Sequence, residues 1–202
     1  MKVKITYFLV IFLLLPLALA ACSSSGGGEV PICNPEDEPF TQAEKEAFWA
    51  ENGIWRATTL EEASEVAGFE VVSFGSIPEG LCRSLYISVE DRCVTLSEFF
   101  DCDLPIQVTQ YWGLLEYESL EPGQLAFLML MQSPGNLGAG GTPTEVGGYP
   151  ATRDYQVAQD DRPAMLSLHW EIDGMNFMLA GTISGPITEE LIYEVAASIE
   201  MD

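Results

Sequence analysis

The sequence predicts an α+β fold: an antiparallel β-sheet with helices packed on one face, N-terminal helices at one end and a C-terminal helix at the other. Three observations predict it. Thr41-Gln42-Ala43-Glu44 has the spacing of a capping box, which opens a helix. Aromatic and β-branched residues dominate the middle of the chain, as strands require. Near the end, two alternating apolar runs flank Asp173-Gly174, a hairpin turn signal, and a capped amphipathic helix follows.

Taken in order, the first helix covers Gln42–Asn52, with Phe48 and Trp49 as its apolar side and Gly53 as a left-handed stop. A second helix starts at Thr58 or Thr59, each with a glutamate three residues on. Leu60, Ala63, Val66 and Ala67 form its stripe, and Gly68 ends it. Strand chemistry follows in Phe69–Phe74, Leu81–Val89, Cys93–Leu96 and Ile106–Trp112. Leu125–Met131 is nearly all apolar and suits a central strand covered on both faces. Ser133–Gly148 holds six glycines and two prolines and is expected to be one long loop. Tyr149–Ala158 is a strand. In Ala164–Ile172, Leu166, Leu168, Trp170 and Ile172 alternate with Ser167, His169 and Glu171. An Asp173-Gly174 turn then pairs Trp170 with Phe177 and Leu168 with Leu179. Thr188 caps the last helix, whose buried stripe is Leu191, Ile192, Val195 and Ile199.

The first residues concern location. Lys2 and Lys4 precede an apolar run from Ile5 to Ala21, broken by Pro16 and closed by small residues. This run is too short and too interrupted for a membrane-spanning helix, and its layout is that of a secretory signal. It ends at Leu19-Ala20-Ala21-Cys22, which resembles the lipobox of bacterial lipoproteins. The resemblance implies that residues 1–21 are a signal peptide and that Cys22 carries the lipid. Residues 22–39 are then a lipidated tether, since Ser23–Gly28 has no apolar group to pack and spans roughly 13 Å as a random chain. Residues 40–202 form a single domain. The protein is expected to be exported and held by its lipid on the extracytoplasmic side of a bacterial membrane.

Charge narrows the partners. The chain has 8 Lys+Arg against 31 Asp+Glu, and loss of the first 21 residues would leave Lys45 as its single lysine. A chain this acidic repels phosphate backbones, which excludes nucleic acid as a partner class. It also leaves membrane attachment to the lipid rather than to basic residues. Besides Cys22, four cysteines remain: Cys33, Cys82, Cys93 and Cys102. Their even number in an exported chain implies two disulfides, with three pairings open. A local bridge among the last three, with Cys33 joining the remaining cysteine, is favoured.

Catalytic motifs are missing. One histidine, His169, forbids H-E-x-x-H; G-x-S-x-G is absent; and Pro143 stands where a dinucleotide-binding glycine pattern would need its last glycine. His169 falls on the expected polar face of its strand and is read as solvated. Acid pairs occur at Glu90/Asp91, Asp101/Asp103 and Asp160/Asp161, and solvated turns account for them. Asp101, Asp103, Asp160, Asp161 and His169 are the candidate binding residues. Trp170 and Trp49 are expected in the core, with Trp55 and Trp112 able to line a groove.

Three segments, "TTLEEASEVAGFEVVSFGSIPEGL" at 58–81, "VGGYPATRDY" at 146–155 and "LHWEIDGMNFMLAGTISGPITEELIYEVAASI" at 168–199, resemble a family of exported bacterial domains of unknown function. These domains occur in membrane-tethered proteins, some associated with anti-sigma factors. The resemblance implies an α+β fold with an antiparallel sheet and supplies no catalytic residue. The expected function is that of a surface-tethered lipoprotein with a non-catalytic binding or interaction domain. It needs no cofactor beyond the lipid, and its partner is an envelope protein or component. A secreted hydrolase using carboxylates or His169, and a calcium-stabilised adhesion module, are the alternatives.

Overall fold

The computed structural model describes residues 31–34, 36–75, 77–95, 105–114, 126–135, 137, 140–159 and 162–199. They form an α+β fold dominated by an antiparallel sheet. Nine strands and four helices are present among them.

The two N-terminal helices form where their caps dictate. In α1 (Gln42–Asn52) the Thr41 hydroxyl receives the Glu44 amide while the Glu44 carboxylate receives the Thr41 amide, so both ends of the capping box are made. Gly53 closes it at φ 65°. In α2 (Leu60–Ala67) Thr59 is the cap and Gly68 the left-handed stop. Between them lies a short strand that the sequence did not suggest, β1 (Ile54–Ala57), paired with β3 (Ile87–Glu90). Leu81–Val89, expected as one strand, is divided into β2 (Leu81–Arg83) and β3. Both pair with β4 (Gln107–Leu114), one beyond the other along the same edge.

Cys93 was expected in a strand and instead sits in α3 (Arg92–Thr95). The Asp91 carboxylate accepts the Cys93 amide at 2.9 Å, and such a local cap outweighs the strand tendency of Cys and Val. Next come β5 (Phe127–Ser133), β6 (Thr142–Val146), β7 (Tyr149–Gln156), β8 (Ala164–Ile172), β9 (Met175–Ile183) and α4 (Glu189–Ala197). The order across the sheet is β1-β3-β4-β5-β9-β8-β7-β6. The expected long loop is therefore corrected: its second half is β6, joined to β7 by Gly147 and Gly148, both at positive φ. Asp173 and Gly174 are also both at positive φ, and the β8–β9 register is Trp170↔Phe177 and Leu168↔Leu179, as expected.

Pairing registers put alternate residues of every strand on a common side. Ala57, Val89, Val108, Leu128, Leu130, Leu179, Leu166 and Leu168 all fall on one face and are buried. One buried cluster joins this face of β4, β5, β8 and β9 to Ile192, Val195 and Ile199 at the C-terminus; a smaller one joins Ile87, Val89 and Val108 to Ala63 of α2. β5 is central, as expected, but is not covered on both faces. Leu128 and Leu130 are buried while Phe127, Met129 and Met131 are half-buried. Phe69–Phe74, expected as a strand, crosses above the buried face without joining the sheet. Its backbone is held by side chains instead: Gln110 donates to the Val72 carbonyl at 2.7 Å, Gln132 accepts the Val72 amide at 3.1 Å, and the Ser64 hydroxyl accepts the Val71 amide at 2.9 Å.

Packed structure begins ahead of residue 40. Ile32 forms a parallel bridge with Arg83, the Arg83 amide donates to the Pro31 carbonyl at 2.9 Å, and Cys33 is disulfide-bonded to Cys82. Cys93 is disulfide-bonded as well.

Candidate functional site

The crossing segment leaves a cavity of about 370 Å³ between itself, the start of α2 and the sheet. Ile32, Leu60, Phe74 and Ile77 supply apolar walls; Ser73, Arg83 and Gln110 supply polar groups. Ser73, Phe74 and Ile77 come from the crossing segment, Leu60 from α2, Arg83 from β2 and Gln110 from β4. Arg83 is in β2 opposite Trp112 of β4, so it shares the buried side of the sheet with Trp112 and Gln110. Its backbone is fixed on both sides by Pro31 and Cys33. Phe74 is pinned against the Trp112 ring, with centroids 4.0 Å apart.

The electrostatics of this cavity are unusual for so acidic a chain. Arg83 Nη2 donates to the Thr58 carbonyl at 3.0 Å, but Nη1 is buried without a partner and forms no ion pair among the described residues. Burial alone draws its pKa down, with no carboxylate acting against it. Gln110, 1% exposed, spends its amide nitrogen on Val72 and leaves Oε1 buried and unpaired. A buried polar atom without a partner costs about 1–3 kcal/mol. Both residues line one apolar-walled cavity, with these two atoms buried in its wall, which describes a candidate small-molecule site.

A second cavity, about 290 Å³, lies beside the Cys33–Cys82 bridge and is lined by Tyr86, Tyr111, Trp112 and Phe127, with Asp37 as its one carboxylate among the described residues. Among the described residues, the two cavities bring no pair of carboxylates together.

The candidates read from the sequence fall elsewhere. Asp101, Asp103, Asp160 and Asp161 lie outside the described residues, as does Cys102. Asp91 caps α3. His169 is on the side of the sheet opposite the Arg83 cavity, as alternation required, and is partly rather than fully solvent-exposed. It is half-buried, its Nδ1 has no partner, and burial lowers its pKa more than nearby Asp154 raises it. The reason is its company: Met178 and Thr152 stand directly opposite it on the flanking strands. Trp112 and Trp170 are buried, while Trp49 and Trp55 are half-buried edge to face. Trp49 therefore joins a surface aromatic pair rather than the core.

Arg83 and Gln110 were missed by sequence reasoning. The available signal was weak: Arg83 is one of five arginines in a chain of 31 acids. Among the described residues no group of three or more His, Cys, Asp and Glu side chains converges to hold a metal ion, and no helix is long and apolar enough to cross a membrane. Comparison of the chain with protein-family models, curated proteins and solved structures finds no match.

Proposed function

We propose that the protein is a lipid-anchored binding protein of the extracytoplasmic side of a bacterial membrane, and that its Arg83 cavity takes a small amphiphile with an anionic head. The observation that carries the binding site is an apolar-walled cavity lined by Arg83 and Gln110, each of which holds a buried polar atom without a partner. A carboxylate or phosphate meets the guanidinium in charge-assisted hydrogen bonds, which are roughly twice as strong as neutral ones. A hydrocarbon body covers Phe74, Ile77 and Leu60. The net charge of −23 does not prevent this, because exposed charges are screened beyond about 8 Å at physiological salt while the guanidinium is met at contact.

Anchoring through Cys22 rests on the lipobox-like Leu19-Ala20-Ala21-Cys22 and the short apolar run before it. Export is supported by the disulfides, which persist in oxidising compartments. The same reading makes the chain a relative of the exported domains of unknown function that it resembles. Its helices then lie together on the buried face of the sheet, as the shared side of Ala57, Leu128 and Leu168 supports.

Octanoate and octyl phosphate are the probes, with octylamine as the control of opposite charge. Both anions are expected to raise the melting temperature of the native protein, and octylamine is not. Arg83→Met is expected to lose that response while melting at or above the wild-type temperature, because it removes a buried charge that has no ionic partner. Equal anion binding by wild type and Arg83→Met, or no response to either anion, overturns the reading.

A further inference from the structure

The face of the sheet opposite the Arg83 cavity carries a second arrangement, made of soft ligands. Met131 of β5 is directly opposite Met178 of β9, and Met178 is directly opposite His169 of β8. The three side chains therefore stand in a row across three adjacent strands, on one side of the sheet. Residues directly opposite in antiparallel strands have Cβ atoms about 4.5–5.5 Å apart. A flexible thioether on each of two strands and an imidazole on the third can bend over the middle strand toward one point. Ala180 and Ser167, small and buried, lie two residues along from Met178 and His169 and face each other, while Met129 of β5 stands opposite Ala180 as the large side chain next to the row. All three row residues are half-buried.

We propose that Met131, Met178 and His169 form a binding site for Cu(I). Ligand type decides the metal. Neutral thioether sulfur is a soft ligand that selects Cu(I), while Zn²⁺ takes thiolate, imidazole and carboxylate. The histidine is prepared for the role: its Nδ1 is buried with no hydrogen-bond partner. A chain with net charge −23 also concentrates cations at its surface. The site uses none of the Arg83 cavity's residues and stands or falls separately.

The test is competition for Cu(I) between the full mature chain and bicinchoninate, with ascorbate as reductant, without oxygen, after free thiols are blocked with N-ethylmaleimide. One Cu(I) per chain is expected. Met131→Leu and Met178→Leu preserve volume and are each expected to weaken binding at least tenfold. Met175→Leu, whose methionine faces the buried side, leaves binding unchanged. Methyl NMR with Ag(I), a redox-inert substitute, reads the site directly: the Met131 and Met178 methyls shift and the Met175 methyl does not. Failure to withdraw Cu(I) from bicinchoninate, wild-type affinity in both leucine variants, or silent Met131 and Met178 methyls overturns the proposal.

Discussion

Lys45 joins α1 to α2 through one contact. It is 7% exposed, and its Nζ lies 2.6 Å from Glu62 Oε1. That same oxygen accepts the Trp55 indole N–H at 2.9 Å, and Oε2 accepts the Thr58 amide at 3.0 Å. Burial by itself raises the Glu62 pKa, but the hydrogen bonds from Lys45, Thr58 and Trp55, with the Lys45 charge, outweigh it and hold the carboxyl below its ordinary 4.5. The folded value being depressed, this contribution is present above 4.5 and is lost as pH falls through the folded value. Glu62→Gln is expected to cost about 2 kcal/mol at neutral pH, in the range for hydrogen bonds to charged groups, and to lose less than wild type on acidification. Urea titrations at neutral and at acid pH measure both, and parallel pH profiles for the two proteins would contradict the assignment. The sequence announced Glu62 as a helix-start acid, but not that Lys45, seventeen residues back, would be its partner.

The elements show where local chemistry is sufficient and where it is not. Thr41, Thr59 and Thr188 cap helices in the structure as in the sequence, because a cap is closed within three residues. The Phe69–Phe74 segment has strand composition yet no strand partner. Its fate depends on Gln110 and Gln132, more than thirty residues away, supplying the hydrogen bonds a neighbouring strand would have supplied. Docking of α4 depends on Gly181 of β9, where an added Cβ would come within 2.6 Å of Leu128 and 2.9 Å of Ile192. Gly181→Ala is thus expected to destabilise by about 1–3 kcal/mol through overpacking, and a thermal melt checks it. An unchanged melting temperature would mean that α4 shifts without cost.

Across the whole molecule, the Cys33–Cys82 bridge fastens the chain's beginning to the sheet edge next to the Arg83 cavity. It closes a loop with a sequence separation of 49, for which the chain-entropy model gives roughly 4 kcal/mol. Cys33→Ser with Cys82→Ser is expected to lower the melting temperature and to loosen Ile32, a wall of that cavity; hydrogen exchange at the Arg83 amide reports the second effect. With those two paired, Cys102 is the expected partner of Cys93, and non-reducing peptide mapping checks it. Cys22→Ala is expected to release the protein from membranes into the soluble extracytoplasmic fraction. Retention on the membrane would remove the anchor from the reading.

The sequence by itself determined the helix caps, the β8–β9 register, the pairing-ready cysteines and the acidic surface, since each depends on neighbours within a few residues or on composition alone. Only the tertiary structure decided that Arg83 and Gln110 share a cavity with unpaired atoms, and that Met131, Met178 and His169 stand in one row. The hairpin register already sets His169 opposite Met178, but Arg83 and Gln110 come from non-consecutive strands and Met131 joins the hairpin from β5, distant in the chain; sheet order is set by which apolar faces bury together, a long-range outcome no local pattern records.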